Sequence, residues 1–437
     1  MHLARISGAV VTLALAVGLT TACGNDGADA GPAAPVSTDE DITLTFAWWG
    51  NDDRAERYEK AIDLFEEKYP HISVQTQFQA FDDYWTARST EAAGSALPDV
   101  IQMGVPYVRQ YAATGQLAKL DGQLGVNLDT DGVDDSAMVA GQVDGATYAI
   151  PTSLNTQSII YNATLLEELG VEPPAEGYGW DDLVTWFSDV AKAGAQHDPR
   201  VYPSADMTGS YQWFQQWLVQ QGKAPFTDDG QIAFTKDDVQ AWADLWAPLR
   251  EQDAFFPDRR ATQLEPRTGL NSGEVVAEAN WDTLMPNYVA ELGSDDLELL
   301  PVPSADDGSR GMYWHSAMML STSASSSHPD AAAALVDFMI NDPRVGEIFG
   351  TTKGVPATQA QKDAMTIAKG SPDDRLLAYE DALADQVTED APVPVEGDGE
   401  LEVEMGRLAA EMQYGNLTDA EFVDQWFTFA QDTVSPR

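Results

Sequence analysis

The chain has 437 residues, enough for two domains of ordinary size with a core in each, and its 43% hydrophobic and 9% aromatic content suits a globular protein rather than several membrane spans. With 71 acidic against 24 basic residues the formal net charge is −47, which repels nucleic acid and anionic membrane surfaces and disfavours anionic ligands. A neutral or cationic ligand is expected, with most of the acid serving as solvated surface.

The chain opens with His2 and Arg5, runs through an apolar stretch over 6–19, and reaches Leu19-Thr20-Thr21-Ala22-Cys23. A basic start, a core too short for an ordinary transmembrane helix and small residues before the cut describe a signal peptide over 1–22. Cys23 is the one cysteine in the sequence. Its position looks like a bacterial lipobox, with Thr20 where that motif prefers Leu, so lipidation at Cys23 and anchoring to the outer face of the cell membrane are expected. A plain secretory peptide with an incidental cysteine is the alternative. Either way the chain is exported, and one cysteine makes no internal disulfide. Residues 23–41, rich in Gly, Ala, Pro, Asp and Thr, read as a flexible tether.

A strand over 42–49 alternates, turns aromatic and ends in Gly50-Asn51-Asp52-Asp53. A helix over 54–69 carries Ala61, Leu64, Phe65 and Tyr69 at helical spacing until Pro70 stops it. A strand over 72–78, a helix opened by Phe81-Asp82-Asp83-Tyr84-Trp85 and a short strand over 98–103 follow. This β, α, β, α, β order implies a parallel sheet with helices on its faces. Ligands on such sheets sit beyond the carboxyl ends of the strands. That selects Trp48, Trp49 and Asn51, then Phe81 and Asp82, then the stretch from Gly104 to Tyr107. A short helix over 107–115 leads to an acidic loop, where 127–132 has the oxygen spacing of a calcium site. Met138 stands at the twelfth position where a bidentate glutamate is needed, which weighs against calcium.

The stretch 148–162 organises the rest. Tyr148 and Ile150 begin it and Ile159, Ile160 and Tyr161 end it as strands do, yet Pro151, Thr152, Ser153, Asn155 and Thr156 fill its middle. Two strands joined by a polar crossing between lobes are expected, with Asn155 on the floor of a cleft. An ordinary loop between neighbouring strands is the alternative.

Beyond the crossing come helices over 163–169, from Trp180, over 211–221 and over 235–249, the last with Trp242 and Trp246 assigned to the core. The stretch 273–282 reads as a strand that delivers Trp281 to an edge, 297–303 as a strand, and 312–320 as a second polar-centred segment like the first crossing. The last hundred residues read as helical and acidic.

Catalytic signatures are missing: there is no G-x-S-x-G elbow, H-E-x-x-H pair, P-loop or G-x-G-x-x-G turn. Tryptophans and amides stand instead at predicted strand ends. A sugar offers an apolar C–H face and a ring of hydroxyls, which call for an aromatic plane and for amides or carboxylates. Trp49, Trp281 and Trp314 are candidates for the planes. Asn51, Asp82, Asn155, Gln212 and Asp282 are candidates for the hydroxyls, with Phe81, Gly104, Tyr107, Tyr211 and His315 beside them. For any single tryptophan among twelve, a core position is the competing reading.

The segments Trp48-Trp-Gly-Asn-Asp52, Glu91-Ala-Ala-Gly-Ser-Ala-Leu-Pro-Asp99-Val100, Tyr148 to Asn155, Gly273 to Trp281, His328-Pro-Asp-Ala-Ala332, and Asn341-Asp-Pro343 leading to Gly350-Thr-Thr-Lys-Gly-Val-Pro-Ala357 carry a family resemblance in their order and spacing. The chain resembles the extracellular solute-binding proteins of carbohydrate ABC transporters, the group that includes the maltose-binding protein. Gly94-Ser95 stands where the family often has two glycines before Pro-Asp. Lys353 stands where many members have Arg, keeping the charge without the bidentate fork. The resemblance implies an α/β, two-lobe periplasmic-binding-protein-like fold whose lobes, joined by hinge crossings, close over a sugar or short oligosaccharide. It implies a first lobe of 42–152 and 318–358 and a second of 153–317 and 359–437. Asn155 would sit at the crossing, Trp281 would stack on the sugar from the second lobe, 103–107 would contact it from the first, and Lys353 joins the ligand-binding candidates. The expected partners are a carbohydrate ligand and the ABC transporter permease subunits, with no cofactor, metal or nucleic acid, and a monomer is expected. The competing functions are a binding protein for a non-sugar ligand such as a polyamine or oligopeptide, and a secreted glycosidase.

Overall fold

The computed structural model describes residues 33–37, 40–227, 230–265, 267–392, 395 and 397–434. The expected signal peptide, Cys23 and the tether up to residue 32 lie outside the described residues, as does the side chain of Asp82.

Strand β1 (Ile42–Trp49) first alternates, with Ile42 and Leu44 inward, and then buries Phe46, Ala47 and Trp48 in succession. Burial on both faces is what a central strand in a helix-covered sheet needs. The helix Asp52–Lys68 covers one face through Ala55, Tyr58, Ala61, Ile62 and Phe65. It begins where Asn51 Oδ1 accepts the Arg54 N–H at 3.0 Å, a side-chain N-cap. β2 (Ile72–Gln79) and β3 (Val100–Met103) pair parallel on either side of β1, with the helix Phe81–Ala93 between them in sequence, as the alternation implies. Asp99 braces this arrangement: its Oδ2 accepts the N–H and hydroxyl of Thr45, both at 2.8 Å, and its Oδ1 accepts the Ser326 hydroxyl at 2.6 Å. The Pro-Asp pair of the motif is therefore structural. The helix Val105–Ala113 starts two residues earlier than its spacing suggests, with Pro106 in a first turn that needs no N–H there.

Strands β4 (Gln142–Val143) and β5 (Ala146–Thr147) form a hairpin turned by Asp144 and Gly145, at φ 52° and 76°. That is the left-handed pair an Asp-Gly turn supplies. β6 (Ala149–Asn155) then joins the first sheet, and after Thr156 alone β7 (Gln157–Asn162) joins another. The expected crossing is present, and it is one residue long.

In the second sheet β7 lies between β8 (Ala277–Trp281) and β9 (Leu297–Leu300), both antiparallel to it, with Gln157 opposite Trp281. Trp242 and Trp246 are fully buried as expected, and Trp180, Trp213, Phe214 and Trp426 pack around them. β10 (Met312–Tyr313) stays in this part of the fold, paired later with β13 (Val387–Glu389), whereas β11 (His315–Thr322) inserts antiparallel between β3 and β6. The chain thus returns across Trp314. β12 (Val355–Pro356) completes the first sheet, whose order among the described residues is β12-β6-β11-β3-β1-β2. Gly354 leads into β12 at φ +104°, where a Cβ would stand 3.0 Å from Ser153 and Leu154. Only glycine suits both conditions.

Boundaries differ from expectation. The chain changes sheet at Thr156 and at Trp314, so 153–155 and 315–317 pair within the first sheet. The helix Gln359–Ala364 packs on Pro343–Phe349, and Gln361 Nε2 donates to Met339 O at 3.0 Å and Asp342 O at 3.2 Å. The helix just beyond residue 358 therefore packs with elements of the first sheet. Residues 33–37 do not hang free: Val36 N–H donates to Asn127 Oδ1 at 3.2 Å, and Asn127 Nδ2 donates to Ala34 O at 2.7 Å and Gln123 Oε1 at 2.8 Å. The first residue of the calcium-like spacing is thus occupied in holding the N-terminal segment.

Candidate functional site

Parallel pairing brings the carboxyl ends of β1, β2 and β3 to one edge of the first sheet, where antiparallel β11 begins and its antiparallel partner β6 ends. Trp49 closes β1, half-buried. Its ring meets Phe81 edge-on at 5.5 Å and lies 5.7 Å from Trp85, and Trp85 stacks on Tyr107 at 3.4 Å and 13°. Gly104 follows β3 inside this cluster, where a Cβ would stand 3.6 to 3.8 Å from Tyr107, Trp49 and Trp85. Phe81 is 49% exposed, a large apolar ring left to solvent at a strand end.

The floor is made where the two sheets meet. Asn155 pairs with His315 across β6 and β11, and Asn155 Oδ1 lies 2.9 Å from His315 Nδ1. The other end of the Asn155 amide, Nδ2, is 3.4 Å from Thr283 Oγ1. Trp281 is the last residue of β8 and stacks on His315 at 4.4 Å with 20° between planes. Burial pushes the His315 imidazole down to about 4, so the ring is neutral at neutral pH. With Asn155 Oδ1 accepting, the ring proton sits on Nδ1 and Nε2 is an acceptor. Gln212 adjoins this floor: its carbonyl accepts Gln157 Nε2 at 3.3 Å, and its own Nε2 donates to Glu402 Oε1 at 3.3 Å.

The remaining candidates are placed elsewhere. Asn51 is exposed, its side-chain oxygen committed to the helix cap. Tyr211 is turned into the second-lobe core, with its hydroxyl donating to Asp398 Oδ1 at 2.7 Å. Trp314 is buried at the second passage under Lys362 Nζ, 5.9 Å from its ring centroid. Asp282 is fully buried, with Oδ1 accepting the N–H groups of Thr156 at 3.1 Å and Thr283 at 2.7 Å. Lys353 is 4% exposed, with Nζ 4.3 Å from the Phe349 centroid and 5.6 Å from that of Tyr58, and no hydrogen-bond partner among the described residues. Burial, helped by Arg54, lowers its ammonium to about 7.

Thr283, Gln157 and Glu402 adjoin the floor without having been singled out. Glu402 is one carboxylate among 71 acids in a helix whose pattern gives no sign of its neighbours. A cavity of about 670 Å³ lined by Tyr178 and Trp186, and another of about 760 Å³ beside Val36 and Asn127, share no residue with this surface. Among the described residues no group of three or more His, Cys, Asp or Glu is placed to hold a metal, and no helix is long and apolar enough to cross a membrane.

A family model described as bacterial extracellular solute-binding protein matches residues 60–396. An extracellular solute-binding protein of family 1 from Alicyclobacillus acidocaldarius is 26% identical, with a TM-score of 0.72 over 92% of this chain and 99% of that one. A periplasmic oligogalacturonide-binding protein from Yersinia enterocolitica, solved with saturated digalacturonic acid, is 19% identical, with a TM-score of 0.74 over 90% and 98%. The GacH receptor of Streptomyces glaucescens, solved without ligand and with acarbose, is 20% identical, with a TM-score of 0.68 over 90% and 98%. At identities below 25% the last two share the fold.

Proposed function

The chain belongs to the bacterial extracellular solute-binding proteins, and on that footing we propose that it captures a sugar or short oligosaccharide between its lobes and delivers it to the permease of an ABC importer. The observation that carries the sugar reading is the floor at the passage: an aromatic plane, Trp281, held against the neutral acceptor His315, itself tied to the Asn155 amide. Such a surface meets a C–H face and hydroxyls together and offers a ligand no charge. The Trp49, Phe81 and Tyr107 cluster supplies the opposing wall from the first lobe. Hinge bending brings the walls together, and a ligand that touches both favours the closed form by its differential affinity. Closure is the signal the permease reads. The same proposal includes lipidation at Cys23, which keeps a monomeric receptor at the outer face of the membrane.

A polyamine is the second reading, favoured by Glu402 beside Gln212 and by the net charge of −47. Titration calorimetry with mono- and oligosaccharides and with spermidine separates the two, and chromatography of the mixtures tests for breakdown. Heat with a saccharide and an unchanged saccharide afterwards support capture. Heat with spermidine alone supports the second reading, and fragments would mean a glycosidase.

A further inference from the structure

A carboxyl pair is buried where the passages between the lobes meet. Besides accepting from Thr156, Asp282 donates its own N–H to Thr156 O at 3.0 Å, so this carboxylate is bonded to the single residue between β6 and β7. Glu380, on the helix Pro372–Leu383, is 2% exposed. Asp282 Oδ2 and both Glu380 oxygens are buried with no hydrogen-bond donor among the described residues, and the two carboxyls are near enough to act on each other's titration. Two buried carboxylates facing one another without a donor are strongly disfavoured. One proton shared between them supplies the donor and removes a charge.

A lysine approaches this pair from the other lobe. Lys362 lies on the helix Gln359–Ala364, which packs with the first sheet, and its Nζ stands 3.9 Å from Glu380 Oε2. The Trp314 ring of the second passage is 5.9 Å from the same Nζ. Tyr379 also faces the pair, its hydroxyl donating to Gln157 O at 2.9 Å just past the first passage. Asp381 acts on Glu380 from the same helix, and Tyr178 and Arg310 stand behind Tyr379.

We propose that Asp282, Glu380 and Lys362 form a proton-sensitive latch across the hinge: the carboxyl pair draws Lys362 toward the second lobe once it carries a negative charge, and protonation of both carboxyls releases it. Burial raises both carboxyls, Asp282 to about 7 and Glu380 well above the ordinary carboxyl range, so the pair first takes on a negative charge near neutral pH and keeps one proton between its oxygens. The lobes then rest at different angles in mildly acidic and mildly alkaline surroundings. Because the latch is made only of this chain's own groups, it stands whichever ligand the cleft takes.

The test needs no ligand. The full chain with Cys23→Ser carries spin labels at Gln110→Cys and Glu251→Cys, exposed positions on the helices Val105–Ala113 and Lys236–Glu251. Pulsed electron resonance between pH 5 and pH 8.5 should show the interlobe distance moving with a midpoint near neutrality. Lys362→Met should abolish that movement while leaving the pH dependence of thermal stability in place. Glu380→Gln should abolish the movement and flatten the stability profile. A distance that is the same at every pH, or a full pH response in Lys362→Met, overturns the latch.

Discussion

Trp281 and His315 lie face to face, 4.4 Å apart and 20° from parallel, although one ends a strand of the second sheet and the other begins a strand of the first. Their stack thus joins the two sheets, and in the proposed function it forms the floor of the cleft. Replacing Trp281 with Ala removes the plane while leaving both sheets intact. Affinity for the bound saccharide should fall about 10- to 100-fold, corresponding to loss of roughly 1.4–2.8 kcal/mol. Calorimetry on the two proteins side by side checks it, and equal affinities would remove Trp281 from the site.

Asn51 and Trp49 are two residues apart, yet only the ring belongs to the aromatic wall. Asn51→Ala should cost about 1 kcal/mol of stability through the lost cap and leave ligand affinity unchanged. Urea unfolding with a parallel binding titration reads both quantities. A large loss of affinity with intact stability would return Asn51 to the cleft.

Trp242 is fully buried and its Nε1 donates to Thr208 O at 3.1 Å. Trp242→Ala should destabilise by about 3–5 kcal/mol without changing the fluorescence response to ligand at temperatures where the variant is folded. A lost response in the folded variant would mean that the core tryptophans report on the cleft.

Lys353 supplies a pH prediction with a definite sign. Its folded value of about 7 lies below the ordinary lysine value of about 10.4, so between the two the unfolded chain binds more protons. Stability contributed by this group therefore rises as pH rises through that window. Lys353→Met should lose the rise, which melting curves collected from neutral to alkaline pH will show. Superimposable profiles would place Lys353 in water.

The outline of the fold was legible because its signals are local. Alternation in β1, the Pro70 stop and the polar middle of 148–162 each follow from a few neighbouring residues, and the strand-end rule then picked out Trp49, Gly104 and Tyr107. The insertion of β11 between β3 and β6 was not legible, since it joins strands more than 150 residues apart that match in hydrophobic pattern and not in any shared motif. Paired candidates were harder for a geometric reason. Each pair straddles the end of a strand: Asp282 begins a 3-10 turn after Trp281, and Trp314 lies between β10 and β11 before His315, so neighbours in sequence are turned to different surroundings. Successive helix residues diverge as well, which sends Tyr211 inward and leaves Gln212 near the floor.

The measurement closest to the central claim is thermal unfolding of the chain from residue 24, followed by tryptophan fluorescence, with a panel of saccharides and spermidine. At ligand about a hundredfold above its dissociation constant, linkage adds about 2.7 kcal/mol of stability, enough to raise the melting temperature visibly. That rise is expected with one class of saccharide, and its loss in Trp281→Ala. No rise with any saccharide, together with a rise for spermidine, would contradict saccharide capture.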